Sequence, residues 1–161
     1  PAGPAAATPP LAQATGSVAP TATVSTATAD LNPVAERKDY DRALEQLKEG
    51  RYTEASSAFQ AFLEKYPGSS YADNAQYWLG EVYYVTREFQ PALSEFGKVI
   101  EAYPDSTKIA DAKLKIGYIQ YELKDWKKAR DMLGQVAQDF PGTTTARLAQ
   151  ERLDRMKREG H

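Results

Sequence analysis

Few side chains in this 161-residue sequence could carry acid–base, nucleophilic or metal chemistry. The single histidine, His161, is the last residue, and there is no cysteine to act as a nucleophile or thiolate ligand. Two carboxylates can share acid and base roles, but Glu36/Asp39 and Asp125/Asp131 lie in charged stretches typical of solvated surface. The sequence contains no glycine-rich phosphate loop and no HExxH motif. We therefore predict no enzyme activity, no metal site and no cofactor.

The charge composition argues against nucleic acid as a partner. The chain has 20 basic and 22 acidic residues, whereas nucleic-acid binding requires a strongly basic face. The basic cluster Lys124, Lys127, Lys128 and Arg130 is interrupted by acids, so we interpret it as outer surface. No apolar run approaches the roughly 18 residues that a membrane helix needs, so we predict no membrane insertion. Protein binding is the remaining class of function.

Residues of the same type recur every 37 positions, beginning with Pro67, Pro104 and Pro141. Further columns with this spacing are Ala55/Ala92/Ala129, Tyr52/Phe89/Trp126, Ala43/Gly80/Gly117 and Phe59/Phe96/Leu133. Apolar residues within each unit fall at helical spacing in two runs, separated by a short polar turn. A repeat of this length predicts a solenoid of stacked helix pairs.

Capping residues and prolines set the predicted helix ends. Asn32 precedes Pro33 as an N-cap precedes a first-turn proline, and Pro104 must end a helix. The helices are predicted at about 33–49, 54–66, 70–86, 90–103, 107–123, 127–140 and 144–159. The last has one narrow apolar stripe and a charged back, which suits the end of a solenoid.

Two sets of small residues have predicted structural roles. Gly80 and Ala92 should face each other where two helices cross, with Phe96 beyond them, because small side chains allow close approach. A column of hydroxyl residues should accept hydrogen bonds from amides at the start of the next helix: Ser69, Ser106 and Thr143.

Residues 1–32 differ in composition from the rest of the chain. They are mostly alanine, threonine, proline and serine, with no charge before Asp30. Such a segment buries too little apolar surface to offset its ordering entropy, so we predict a disordered linker followed by a folded domain at 33–160.

The order of small residue, aromatic, alanine, aromatic and proline resembles the tetratricopeptide repeat, with Gly80, Tyr83, Ala92, Phe96 and Pro104 as its signature. The usual period of that repeat is about 34 residues, so three more follow each proline here, and we expect them to lengthen the next helix. The resemblance implies an all-α, right-handed solenoid. Its repeats are about 33–69, 70–106 and 107–143, with a capping helix at 144–159.

In that family the first helices of the pairs line a concave partner-binding surface. Transferring its positions gives a predicted groove of tyrosines and acids: Tyr40, Asn74, Tyr77, Glu81, Tyr84, Asp111, Tyr118, Tyr121 and Glu122. Trp78 and Tyr83 are interpreted as core. Some members bind a terminal carboxylate with lysine and asparagine in this groove. Here the corresponding positions hold Leu44, Glu81 and Tyr118. We expect a mildly acidic, aromatic groove that binds a segment with apolar anchors and some lysine.

A narrower pattern looks like the C-terminal domain of the periplasmic cell division coordinator of the Tol–Pal system. The matched residues are Tyr66, Pro67, Ser69, Ala75, Leu79, Gly80, Tyr84, Ala92, Phe96, Val99, Tyr103 and Pro104. This resemblance implies a periplasmic adaptor in a Gram-negative bacterium that binds TolA and a peptidoglycan synthase. It also implies a trimer formed through an upstream coiled coil, with this fragment itself monomeric.

The alternative is an accessory binding domain of a larger cell-envelope enzyme or of an outer-membrane-protein assembly lipoprotein. The mass of the intact protein would distinguish the adaptor from a larger enzyme. The adaptor needs only a short coiled coil upstream, whereas the enzyme needs a full catalytic domain.

Removing residues 1–30 should leave the melting temperature almost unchanged, because this segment offers few apolar side chains to bury. Circular dichroism melting of the full and truncated chains measures this. A drop of several degrees would show that the segment docks on the repeats.

Overall fold

The computed structural model describes residues 32–161, which contain seven α-helices and no strand. The helices are α1 (Pro33–Lys48), α2 (Tyr52–Lys65), α3 (Ala72–Val85), α4 (Phe89–Ala102), α5 (Ile109–Glu122), α6 (Trp126–Asp139) and α7 (Thr144–Glu159). The all-α prediction is confirmed, and each predicted helix end lies within two residues of the observed one. The handedness of the solenoid stays a prediction. The predicted linker lies outside the described residues, apart from Asn32.

The core consists of three clusters, and each joins one helix pair to the first helix of the next pair. The first cluster combines residues of α1 and α2 with α3, and the second combines α4 with α3 and α5. The third combines α5 and α6 with α7. A single pair therefore cannot bury its own apolar face, and α7 covers the third pair as a further first helix would.

In the second and third pairs, a glycine of the first helix lies directly against a large side chain of the second helix. A Cβ atom added at Gly80 would lie 2.8 Å from the Phe96 ring, and one at Gly117 would lie 2.6 Å from the Leu133 side chain. Gly80 thus occupies a close contact, as predicted, but its nearest neighbour is the Phe96 ring rather than Ala92. Ala92 is itself fully buried.

The residues after Pro67 and Pro104 form turns and do not lengthen the next helix, contrary to the expectation, whereas α7 begins three residues after Pro141 and is two residues longer than α3 and α5. In the first such turn the Ser69 amide donates to the Tyr66 carbonyl at 3.0 Å, and α3 begins only at Ala72. The predicted role of the hydroxyl column is confirmed. Its oxygens accept from backbone amides at 2.9–3.1 Å, in the pairs Ser69–Tyr71, Ser106–Lys108 and Thr143–Ala146.

Charged residues occupy core columns at both ends of the array. Asp154 stands one repeat after Gly117, so α7 carries an exposed carboxylate where a paired helix would have to approach closely. The first helix shows the same change. Exposed Lys38, Arg42 and Glu45 of α1 correspond to buried Ala75, Leu79 and Val82 of α3. Both end faces can therefore meet water.

Gly80→Ala should destabilise the domain by roughly 1–3 kcal/mol, because the new methyl group overpacks the Phe96 contact. The matched control is Gly97→Ala in α4, where an added Cβ meets nothing within 4 Å. That change should stabilise the domain by up to about 1 kcal/mol through helix propensity. Urea unfolding measures both, and equal stabilisation by the two substitutions would contradict the close contact at Gly80.

Candidate functional site

Two of the tyrosines predicted to line the groove lie in the core instead. Tyr40 is 9% exposed and Tyr77 is 7% exposed. The Tyr77 ring packs 5.5 Å from the Phe96 ring and 5.4 Å from Trp78, measured between centroids, and burial raises the pKa of its phenol. Their column forms the inter-repeat core, so these two rings are not open to a partner.

The other three predicted tyrosines, Tyr84, Tyr118 and Tyr121, are partly exposed, and the last two contact one arginine. The guanidinium carbon of Arg152, from α7, lies 4.2 Å from the Tyr118 ring centroid and 4.7 Å from that of Tyr121. Burial raises the pKa of Tyr84, Glu122 raises it further, and the Arg152 charge opposes that rise. The structure therefore places Arg152 over two of these rings, close enough to Tyr84 for its charge to act there.

A column of residues that sequence reasoning did not assign to the site covers the tyrosines. Trp78, Lys115 and Arg152 occupy the same position in α3, α5 and α7, and each contacts a tyrosine of the preceding repeat. Trp78 Nε1 donates to the Tyr40 hydroxyl at 3.2 Å, and Lys115 Nζ lies 4.9 Å from the Tyr84 centroid. The 37-residue spacing of Trp78, Lys115 and Arg152 could have identified this column from the sequence.

The acids predicted for the groove have partners in neighbouring repeats. Glu81 pairs with Lys115 at 2.9 Å, and Glu122 lies 3.7 Å from Arg87. Asp111 accepts a hydrogen bond from the Thr145 hydroxyl at 2.8 Å. The sequence predicted a mildly acidic surface. The structure differs, because cations balance the carboxylates of Glu81 and Glu122. The remaining predicted residue, Asn74, is partly buried beside Asp73.

The C-terminal turn of α7 completes this surface. The Tyr121 hydroxyl donates to Glu159 Oε2 at 2.7 Å, and Arg155 Nε donates to Glu159 Oε1 at 2.8 Å. These hydrogen bonds, with that from Tyr121 the stronger influence, lower the pKa of Glu159. We call the set Tyr84, Lys115, Tyr118, Tyr121, Arg152, Arg155 and Glu159 the aromatic–cation surface.

The described part of the chain offers little else that resembles a reactive site. Within residues 32–161 no group of three or more histidine, cysteine, aspartate or glutamate residues could hold a metal ion. No helix in this range has the length and apolar character needed to cross a membrane. His161 stacks on Trp126, with ring centroids 3.7 Å apart.

Two protein-family models match the folded region. One, described as outer membrane lipoprotein, matches residues 34–113, and one, described as tetratricopeptide repeat, matches residues 111–143. The helix pairs therefore resemble tetratricopeptide repeats, with a direct match to that model over the third predicted repeat. The aromatic–cation surface therefore lies on the first helices of these repeats, α3 and α5, and on α7.

Curated relatives extend this comparison. Cell division coordinator CpoB of Pseudomonas putida is 55% identical over 51 residues, which are 32% of this chain and 19% of that protein. The Escherichia coli K12 protein of the same name is 43% identical over 47 residues, 29% of this chain and 18% of that protein. The matches span less than a fifth of either relative. They confirm the resemblance to the cell division coordinator.

A solved structure described as MamA AMB-1 is also similar. It is 14% identical, with a TM-score of 0.44, and the likeness covers 79% of this chain and 87% of that one.

Tyr77→Ala should cost about 3–5 kcal/mol of the free energy of unfolding, as expected for a large aromatic residue removed from a core. Tyr118→Ala should cost less than half as much, because its ring is partly exposed and a cation–π contact at such a site is worth about 0.5–1 kcal/mol. Urea unfolding measures both values. Equal losses would contradict the separation of core and surface tyrosines.

Proposed function

We propose that this domain is a non-catalytic protein–protein interaction module of a periplasmic adaptor. The adaptor would bind TolA and coordinate outer-membrane constriction with septal peptidoglycan synthesis during cell division. The observation that carries the proposal is the grouping of three partly exposed tyrosines on the first helices. Tyrosine supplies a large, stiff contact area with one polar tip, which makes it frequent among the residues that dominate binding energy.

The form of the surface suits an elongated partner. Tyr84 and Tyr121 occupy the same position in successive first helices, so their rings lie along the direction in which the repeats stack. A helix or an extended segment lying along this direction could contact both rings at once. Protein domains commonly recognise peptides in both of these conformations.

The cell envelope is the location that the comparisons support. The relatives are named as cell division coordinators, and the model for residues 34–113 is described as outer membrane lipoprotein. Within the envelope we propose the periplasm, with a peptidoglycan synthase as a second protein partner. A coiled coil upstream would make the full-length protein trimeric, while the tetratricopeptide domain alone would be monomeric.

A second candidate function is the accessory domain of an outer-membrane-protein assembly lipoprotein or of a larger envelope enzyme. The observation in its favour is the outer membrane lipoprotein model, which matches two of the three repeats. A catalytic domain in the intact protein would favour the enzyme, and a lipid-modified N-terminus would favour the lipoprotein. A short coiled coil would favour the adaptor.

Tyr84→Ala and Tyr121→Ala should each weaken binding to the helical region of TolA by roughly 1–4 kcal/mol, as expected for interface hot spots. Isothermal titration measures the dissociation constants, and circular dichroism verifies folding.

Lys127→Ala and Lys128→Ala are controls on α6. These side chains are 81% and 68% exposed and pair with Asp131 and Asp125 of their own segment. Their removal should leave affinity unchanged, apart from a small salt-dependent change in association rate. If the tyrosine variants bind like wild type while the lysine variants lose binding, the partner contacts the second helices instead.

A further inference from the structure

Arg152 is a partly buried cation without an anionic partner in the described chain. Its guanidinium lies over the Tyr118 and Tyr121 rings, and among residues 32–161 it forms no ion pair and no hydrogen bond. The adjacent carboxylate, Glu151, is already paired with Arg147. Withdrawing a charge from water is unfavourable unless other groups pair with it, so a partner that covers Arg152 is favoured if it brings a group that pairs with these donors.

The preceding repeat shows what that ligand should be. Lys115 occupies the equivalent position of α5, where it lies over the Tyr84 ring and also pairs with Glu81 at 2.9 Å. One repeat after Glu81 the residue is Tyr118. The cation over the ring is thus kept in the next repeat, while the carboxylate that neutralised it is replaced by a second ring.

The local charge balance gives the same result. The other two cations of this surface are matched with carboxylates, in the pairs Lys115–Glu81 and Arg155–Glu159, and the neighbouring Arg87 lies 3.7 Å from Glu122. Arg152 leaves one positive charge in excess. A guanidinium presents a planar fork of donors that fits both oxygens of a carboxylate, and such charge-assisted pairs are stronger than neutral hydrogen bonds.

We propose that Arg152 receives a side-chain carboxylate, from aspartate or glutamate, of the protein segment that binds the aromatic–cation surface. The rings of Tyr118 and Tyr121 hold the guanidinium in place, so little side-chain freedom is lost when the carboxylate arrives. The proposal rests on the proposed function of this surface. It replaces the expectation of a lysine-bearing partner for this part of the surface.

The first test is titration of the TolA periplasmic region into wild type, Arg152→Gln and Arg152→Lys. Hydrogen bonds to charged groups contribute about 1.5–3 kcal/mol, so Arg152→Gln should weaken binding about 10- to 100-fold. Arg152→Lys keeps the charge and should lose less. The control is Arg158→Gln, which removes an exposed cation of the same helix and should bind like wild type. Melting temperatures verify that each variant is folded.

Charge exchange separates a direct contact from a structural role. Arg152→Glu should abolish binding, and one aspartate-to-lysine or glutamate-to-lysine substitution in TolA should restore it. If TolA binds wild type and Arg152→Gln equally well, the carboxylate proposal is overturned while the proposed function stands. It is overturned also if binding falls but no exchanged carboxylate restores it.

A second probe tests the carboxylate site at Arg152 without TolA. It is needed if TolA does not bind at all, a result that would refute only the proposed function. Glutarate is titrated into labelled protein, with chloride at equal ionic strength as control, and the Arg152 Nε–H resonance is followed by NMR. A saturable shift with glutarate only, absent for the Arg155 resonance, supports a carboxylate site. No shift, or the same shift with chloride, overturns it.

Discussion

The contact between a bare helix backbone and a large apolar side chain determines how this domain is packed. Gly80 admits the Phe96 ring and Gly117 admits Leu133, at distances that a Cβ atom would block. Because the two contacts occupy equivalent places, both helix pairs close in the same manner. Successive first helices then present equivalent positions side by side, and columns of residues become continuous features of the molecule.

The aromatic–cation surface is a consequence of that stacking. Each tyrosine comes from one repeat and the group covering its ring comes from the next, as with Tyr84 and Lys115. The surface therefore exists only in the assembled array, and α7 both closes the core and supplies Arg152. A helix that serves as a cap for stability here also contributes to the candidate binding site. Loss of α7 would remove both properties together.

The sequence was sufficient for the helices, because prolines, capping residues and the 37-residue spacing each mark an end or a register. It was insufficient to predict how deeply each side chain is buried. Tyr77 and Tyr84 are two turns apart on α3, yet Tyr77 is buried against Phe96 while Tyr84 remains partly exposed. Periodicity states which residues are equivalent but not how far a neighbouring element covers them. The pairing of Lys115 with Glu81 likewise depends on how closely neighbouring repeats approach each other. The sequence therefore predicted an acidic surface, whereas cations balance these carboxylates in the structure.

We propose that the partner contacts the first helices and α7 rather than the second helices. Amide chemical-shift mapping of the labelled domain during titration with the TolA periplasmic region tests it most directly. The largest shifts should occur around Tyr84, Tyr118, Tyr121 and Arg152, in α3, α5 and α7. Shifts concentrated in α4 and α6, with these four residues unchanged, would contradict it.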